Sequence, residues 1–488
     1  MSLSATFNTA RSSLQATSTR LSVSASNVAS ADDTSTSRKI AVVTTTSDGG
    51  SKVVNITRAS DSALYDRMLS ATSSSSKLSA IDSGLTVLQQ TVGDTESETS
   101  PAALLGVFSS ALSSAANAPD DSALAASAVT AAQNVAQSLN DASETVQKVR
   151  TDADSSIATS VSNVNDLLAK FQAANDAVVQ GTAIGANVTD ALDRRDAILS
   201  DLSEEMGIST LTRANNDVAI YTDSGVTLFD KSARSVTFQA SGALDATSSG
   251  NAVYVDGVAV AGPGASSSMT LKSGAIAGYA ELRDDVAVTY QTQLDEVARG
   301  LITAFAETDQ TGGTTTLAGL FTAGSGDTSV PSSLVAGLAG NITVNAAADS
   351  TQGGSPFTLR DGGMNGASYV YNADSEASYS TRLTELIGAL SASQTYDSSS
   401  QLESDTSVMT FATASVSWLQ GQRSVVSTSL DTQSAVLSQT STALSSATGV
   451  NLDDEYALQL ELERSYQASS KLIGVVSDLY DQLFSVIG

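Results

Sequence analysis

The chain has 488 residues, with 24 Lys and Arg against 52 Asp and Glu, and contains neither His nor Cys. Without imidazole or thiol there is no Ser-His-Asp triad, thiol nucleophile, zinc finger, disulfide frame or CxxC redox site. A net charge of −28 argues against a nucleic-acid or anionic-membrane partner, because phosphate binding needs clustered Lys and Arg.

The apolar share is 41%, but aromatics make up only 5% and there are 5 prolines. That palette suits thin cores of small side chains, helix packed on helix, and it leaves room for very long helices. No run approaches the roughly 18 apolar residues of a spanning helix, and no basic segment followed by an apolar one opens the chain. The expectation is a cytoplasmic protein, or one exported without a cleaved signal.

At the start, Leu3, Phe7, Ala10, Leu14, Thr17, Leu21, Ser24 and Val28 step by four and three without a break. This heptad seam predicts one helix over residues 3–30, about 42 Å long. At the other end, Leu458, Leu462, Ser465, Ser469, Leu472, Val476, Leu479, Leu483 and Val486 repeat the stepping, broadened by Tyr466, Ile473, Tyr480 and Ile487. Seams holding Thr17, Ser24, Ser465 and Ser469 are weak, since each missing Leu forfeits about 1.5–3 kcal/mol of burial. Chain ends normally fray unless they dock. The two terminal helices are therefore expected to pair and to be completed by neighbouring subunits, an intramolecular hairpin of a monomer being the alternative. The interface residues expected are Leu3, Phe7, Ala10, Leu14, Leu21, Val28, Leu458, Leu462, Leu472, Val476, Leu479 and Leu483.

Residues 30–51 read as a linker or β-ribbon with an apolar run at 40–43, followed by a helix over 58–93. Pro119-Asp120-Asp121-Ser122 starts a helix, with acids at the positive end of its dipole. Its seam runs from Val135 through Val149 to Phe171, well past the length of an ordinary globular helix. Further helices cover 189–206, stopping at Gly207 as a C′ residue, and 275–308. Between them the period changes to two. Val218, Ile220 and Thr222 alternate before a turn at Asp223-Ser224-Gly225, and Asp256-Gly257 between alternating valines predicts a hairpin. A second β-like zone is expected over 340–372, and a helical return over 375–448.

The expected fold class is mainly α with inserted β: an elongated, nested, multidomain subunit. Residues 1–44 and 449–488 would form the two halves of a terminal coiled-coil domain. Residues 45–207, 275–310 and 375–448 would form a helical-bundle middle domain, with 208–274 and 311–374 as β-rich outer insertions.

No catalytic, cofactor or metal constellation emerges. Ser74-Ser75-Ser76-Lys77 matches S-x-x-K, but the S-D-N and K-T-G partners of serine acyl-enzymes do not occur. Asp453-Asp454-Glu455 reads as acids favoured at a helix start, and Asp193-Arg194-Arg195-Asp196 as ion pairs on a solvated helix face.

The stretches 105–119 (LGVFSSALSSAANAP), 157–168 (IATSVSNVNDLL), 191–208 (ALDRRDAILSDLSEEMGI) and 273–305 resemble, in order, the helical region of the hook-associated protein 1 family of bacterial flagella, the hook–filament junction proteins. The segment 449–484 resembles the C-terminal element shared by rod, hook and hook-associated proteins. At the N-terminus, where that wider family continues into a Pro-Gly-Tyr turn, this chain reads Asp32-Asp33-Thr34. The resemblance implies a non-enzymatic subunit without cofactor, outside the cell, in a ring of copies between the hook protein and the next hook-associated protein. It also implies export through the flagellar type III channel and a cytoplasmic chaperone on the C-terminal helix. Flagellin or another hook-associated protein is the alternative within the class. A surface carboxylate-dependent hydrolase and a monomeric coiled-coil adapter are alternatives outside it.

Overall fold

The computed structural model describes residues 3–47, 49–92 and 100–487. Its first helix, α1 (Leu3–Ala29), leads into an antiparallel ribbon of β1 (Lys39–Thr45) and β2 (Ser51–Arg58), with a bulge between Val42 and Val43. Four helices follow: α2 (Ser62–Val92), α3 (Pro101–Asn117), α4 (Ser122–Ala183) and α5 (Thr189–Glu205). The start of α4 is where its acids place it. The Asp121 carboxylate accepts the backbone N–H groups of Ala123 (2.8 Å) and Leu124 (3.2 Å). With 62 residues and no proline, α4 is about 93 Å long.

The β region comprises a four-stranded antiparallel sheet, β3 (Ile208–Thr212), β4 (Val218–Thr222), β5 (Thr227–Asp230) and β6 (Ser232–Ala233), and a three-stranded one, β7 (Val236–Thr237), β8 (Val253–Val255) and β9 (Val258–Ala261). Asp256 and Gly257 both take positive φ, 50° and 82°, the mirror-image turn that matches strand twist.

The helix expected over 275–308 is broken. One π turn, Leu282–Val286, separates α6 (Ala275–Glu281) from α7 (Ala287–Ala304). α6 lies close on α2: a Cβ on Gly278 would sit 2.4 Å from the Lys77 carbonyl oxygen. The π turn brings Arg283 inside, fully buried. There it donates to Asp154 (2.5 Å), Asp284 (2.7 Å) and the Asn251 carbonyl (2.7 Å). Arg150, also buried, donates to the carbonyls of Asp245 (2.7 Å) and Ser248 (2.6 Å). Two arginines thereby hold the loop after β7 onto α4.

The second β-like zone is mostly irregular. Short pairs, β10 (Glu307–Thr308) with β11 (Thr316–Leu317) and β12 (Phe321–Thr322) with β13 (Thr343–Val344), precede the single turn α8 (Thr358–Asp361). Positive-φ glycines at 353, 362, 363 and 366 interrupt any longer strand. The return over 375–448 is not one helix either: α9 (Thr381–Ser391) and α10 (Val408–Thr448) flank a hairpin of β14 (Ser393–Thr395) and β15 (Asp405–Ser407). The polar gap between Leu390 and Val408 is what the hairpin fills. Helix α11 (Leu452–Ile487) ends the chain. The stop of α5 is also different in kind. Met206 caps it in extended conformation, and Gly207 lies outside the left-handed region, donating its N–H to the Ser273 carbonyl instead.

Two apolar cores share α4. Its first half packs with α2, α3, α7, α9 and α10 around the ring cluster Phe108, Phe305 and Phe321, whose centroids lie 5.2–5.7 Å apart. Its second half, from Ile157 to Phe171, packs with α5, α6 and the strands, with Phe171 edge-on to Phe229 at 5.0 Å.

Candidate assembly surface of the terminal helices

Helices α1 and α11 pack on each other, with Ser24 and Asn27 near the end of α1 beside Glu455 near the start of α11. The pair is therefore antiparallel. Measured from that contact, α11 outruns α1 by roughly three turns.

On α1 the expected seam faces the pair: Ala10, Thr17 and Ser24 are buried, and Leu3, Phe7, Leu14, Leu21 and Val28 are half-buried. On α11, Leu462 and Val476 are buried and Leu458, Ser469, Ile473 and Tyr480 half-buried. Leu472, Leu479 and Leu483 do not join them. They stand exposed at 48, 43 and 45%, with Val475 at 57%. Ser465 and Tyr466 are exposed too, and the side chains of Val486 and Ile487 lie outside the described residues. The reason is the mismatch of periods. A heptad stripe drifts about 20° per seven residues on a straight helix, so three heptads carry it off the contact and bring Ile473 and Tyr480 in. What remains outside is a second apolar stripe at positions i, i+3, i+7 and i+11, continuous with the buried one. α1 carries Arg11 and Arg20 and no acid, whereas α11 carries seven acids and two cations; the charges favour this pairing over one of α11 with itself.

Sequence reasoning missed the polar centre of this unit. Glu455, expected only as one of three acids favoured at a helix start, is fully buried, and Asp453 and Asp454 alone stay outside. Ser24 donates to Glu455 Oε2 (2.5 Å), while Asn27 (3.1 Å) and Arg38 (2.8 Å) donate to Oε1. The buried serine in the seam was the one available signal.

The Asp193–Asp196 run is likewise not a solvated face. Asp193 and Arg195 are 4 and 5% exposed, and only Arg194 faces solvent. Arg58 at the end of β2 donates to Asp193 (2.8 Å) and Asp196 (2.5 Å), bracing the ribbon on α5 beside a cleft of about 1240 Å³. Burial pushes the Asp196 carboxyl up, against the pull of Arg58. The S-x-x-K residues also have structural partners: Ser74 donates to the Ser70 carbonyl (2.8 Å) and Lys77 pairs with Glu281 (2.7 Å). Among the described residues no group of three or more acids could hold a metal ion, and no helix is long and apolar enough to cross a membrane.

Residues 85–321 match the family model described as the flagellar hook-associated protein FlgK helical domain, and residues 442–486 match that of the flagellar basal body rod FlgEFG protein C-terminal. The fold is similar to that of the flagellar hook junction protein FlgK from Burkholderia pseudomallei. The TM-score is 0.57 at 15% identity, over 78% of this chain and 99% of that one. No curated protein matches the sequence. The two models cover more than half of the chain, in the order and at the positions that the helical region and α11 occupy, and the chain belongs to the FlgK family of flagellar hook-associated proteins.

Proposed function

We propose that this chain is a structural, non-enzymatic component of the bacterial flagellum that joins hook to filament, and that it assembles through its terminal helices. The observation that carries the second part is the exposed stripe Leu472–Val475–Leu479–Leu483, which continues the α1–α11 seam into solvent. A stripe of that kind on a terminal helix fits an interface left for neighbours. The partners in this reading are further copies in a ring, the hook protein on one side and the next hook-associated protein on the other. A cytoplasmic chaperone holds α11 before export through the flagellar channel. The nested division into a terminal coiled-coil domain, a helical body and β-rich insertions belongs to the same reading.

The test is placement. An epitope inserted in the exposed loop at 266–268, viewed on isolated flagella, should label one short band where hook meets filament. Label along the whole filament would refute the junction role in favour of a flagellin-like one.

A further inference from the structure

Glu455 is where every covalent route between the terminal pair and the body converges. The pair is joined to the body by two connectors, residues 30–38 and 449–451. The carboxylate of Glu455 accepts from α1 through Ser24 (2.5 Å) and Asn27 (3.1 Å), and from the first connector through Arg38 (2.8 Å). Arg38 in turn donates its backbone N–H to the carbonyl of Thr448, at the mouth of the second connector (2.8 Å). Asn27 grips the ribbon in both directions, donating to the Lys39 carbonyl (2.9 Å) and accepting the Lys39 N–H (2.9 Å). The ribbon base is then tied to α5 by Ser37 on Asp193 (2.5 Å), by Lys39 on Asp190 and by Arg58 on Asp193 and Asp196.

We infer that this network is a lock that fixes the direction in which the terminal pair leaves the helical body, with Glu455 as its hub. The charge makes it a lock and not a contact among many. A fully buried carboxylate is tolerated because its donors replace water, and removing it takes the carboxylate acceptor from Ser24 and Arg38 and leaves the Asn27 amide only the Lys39 carbonyl. All the elements must be in place together for the set to be satisfied, so the arrangement is closed as a whole or open as a whole. A subunit so locked presents its exposed stripe at one angle before it meets a neighbour, which lowers the ordering cost of association. The lock stands on contacts within one chain and holds whether or not the stripe is the assembly surface.

The chain has no cysteine, so Ser18→Cys on the exposed side of α1 and Ser155→Cys on α4 give a clean spin-label pair in the full-length free subunit. The wild-type chain should give one narrow distance distribution. Glu455→Gln, which removes the charge and turns a donor toward Ser24, should broaden it about twofold. It should also raise amide exchange in the ribbon (β1 and β2) and the first turn of α11 about tenfold, leaving α7 unchanged. Arg38→Ala should do the same to a smaller extent without touching either terminal helix. An unchanged distance distribution in both variants, or an equal rise of exchange in α7, would overturn the lock. A failure of the stripe itself would show only in assembly, not in these free-subunit measurements.

Discussion

Exchanging Leu472 for Asp separates assembly from folding. The four stripe residues are exposed by 43 to 57%, so about half of each side chain remains to be buried by a neighbour. At 1.5–3 kcal/mol for a complete side chain, that leaves roughly 3–6 kcal/mol per contact for the stripe. Leu472→Asp removes about 1 kcal/mol of it and sets a carboxylate against apolar surface, so association should weaken by about a hundredfold or more. In the free subunit the same change costs about 1–2 kcal/mol, from the half of the side chain already covered and from helix propensity. Leu462→Ala is the control: at 1% exposure its side chain fills the α1–α11 contact, and its loss should destabilise that pair by about 2–5 kcal/mol. The assay pairs thermal melting of the purified chain by circular dichroism with filament attachment and swimming in cells that carry each variant. Leu472→Asp should melt closer to the wild type than to Leu462→Ala and leave cells without attached filaments. Normal swimming, or melting as poor as that of Leu462→Ala, would refute the reasoning.

Other outcomes bear on the body. Burial pushes Asp295 up to about 6 even though it accepts the N–H groups of Gly337 (2.9 Å) and Ala339 (2.8 Å). Its folded pKa exceeds its unfolded value, so its contribution is fully present below about 4 and lost as pH rises through about 6, a change of roughly 3 kcal/mol. Denaturant midpoints should therefore fall between pH 4.5 and 7 by more in the wild type than in Asp295→Asn; parallel profiles would contradict this. Arg283→Ala leaves Asp154 buried without its cation and should cost about 3–5 kcal/mol, read by chemical denaturation, with amide exchange rising first around residues 241–251. Asp121→Ala removes the cap of α4 and should cost about 0.5–2 kcal/mol in the same measurement.

The helices were legible wherever one apolar stripe met one core. α1, α4 and α11 announce themselves because their period persists over many turns, and the Asp256-Gly257 hairpin because its turn needs those residues. What stayed hidden depended on contacts between distant segments. No local pattern separates Glu455 from Asp453 and Asp454; its burial follows from Ser24, Asn27 and Arg38 arriving from more than 400 residues away. The same holds for Asp193, whose partner Arg58 lies 135 residues earlier. The π turn that inserts Arg283 was illegible because one extra residue in a helix hardly disturbs the stripe on either side of it. On α11 the period was legible, but not which of its leucines the pair with α1 covers, because spacing gives the stripe and not the supercoil that keeps a stripe in register.

The long helix α4 has a mechanical consequence. Its early turns belong to one core and its later turns to the other, and the Arg283–Asp154 pair is set between them. The two cores are thus segments of one shaft, its backbone hydrogen bonds running unbroken through both. A twist applied at either core is delivered to the other without crossing a joint, and the β region, gripped at Arg150 and Arg283, turns with the shaft.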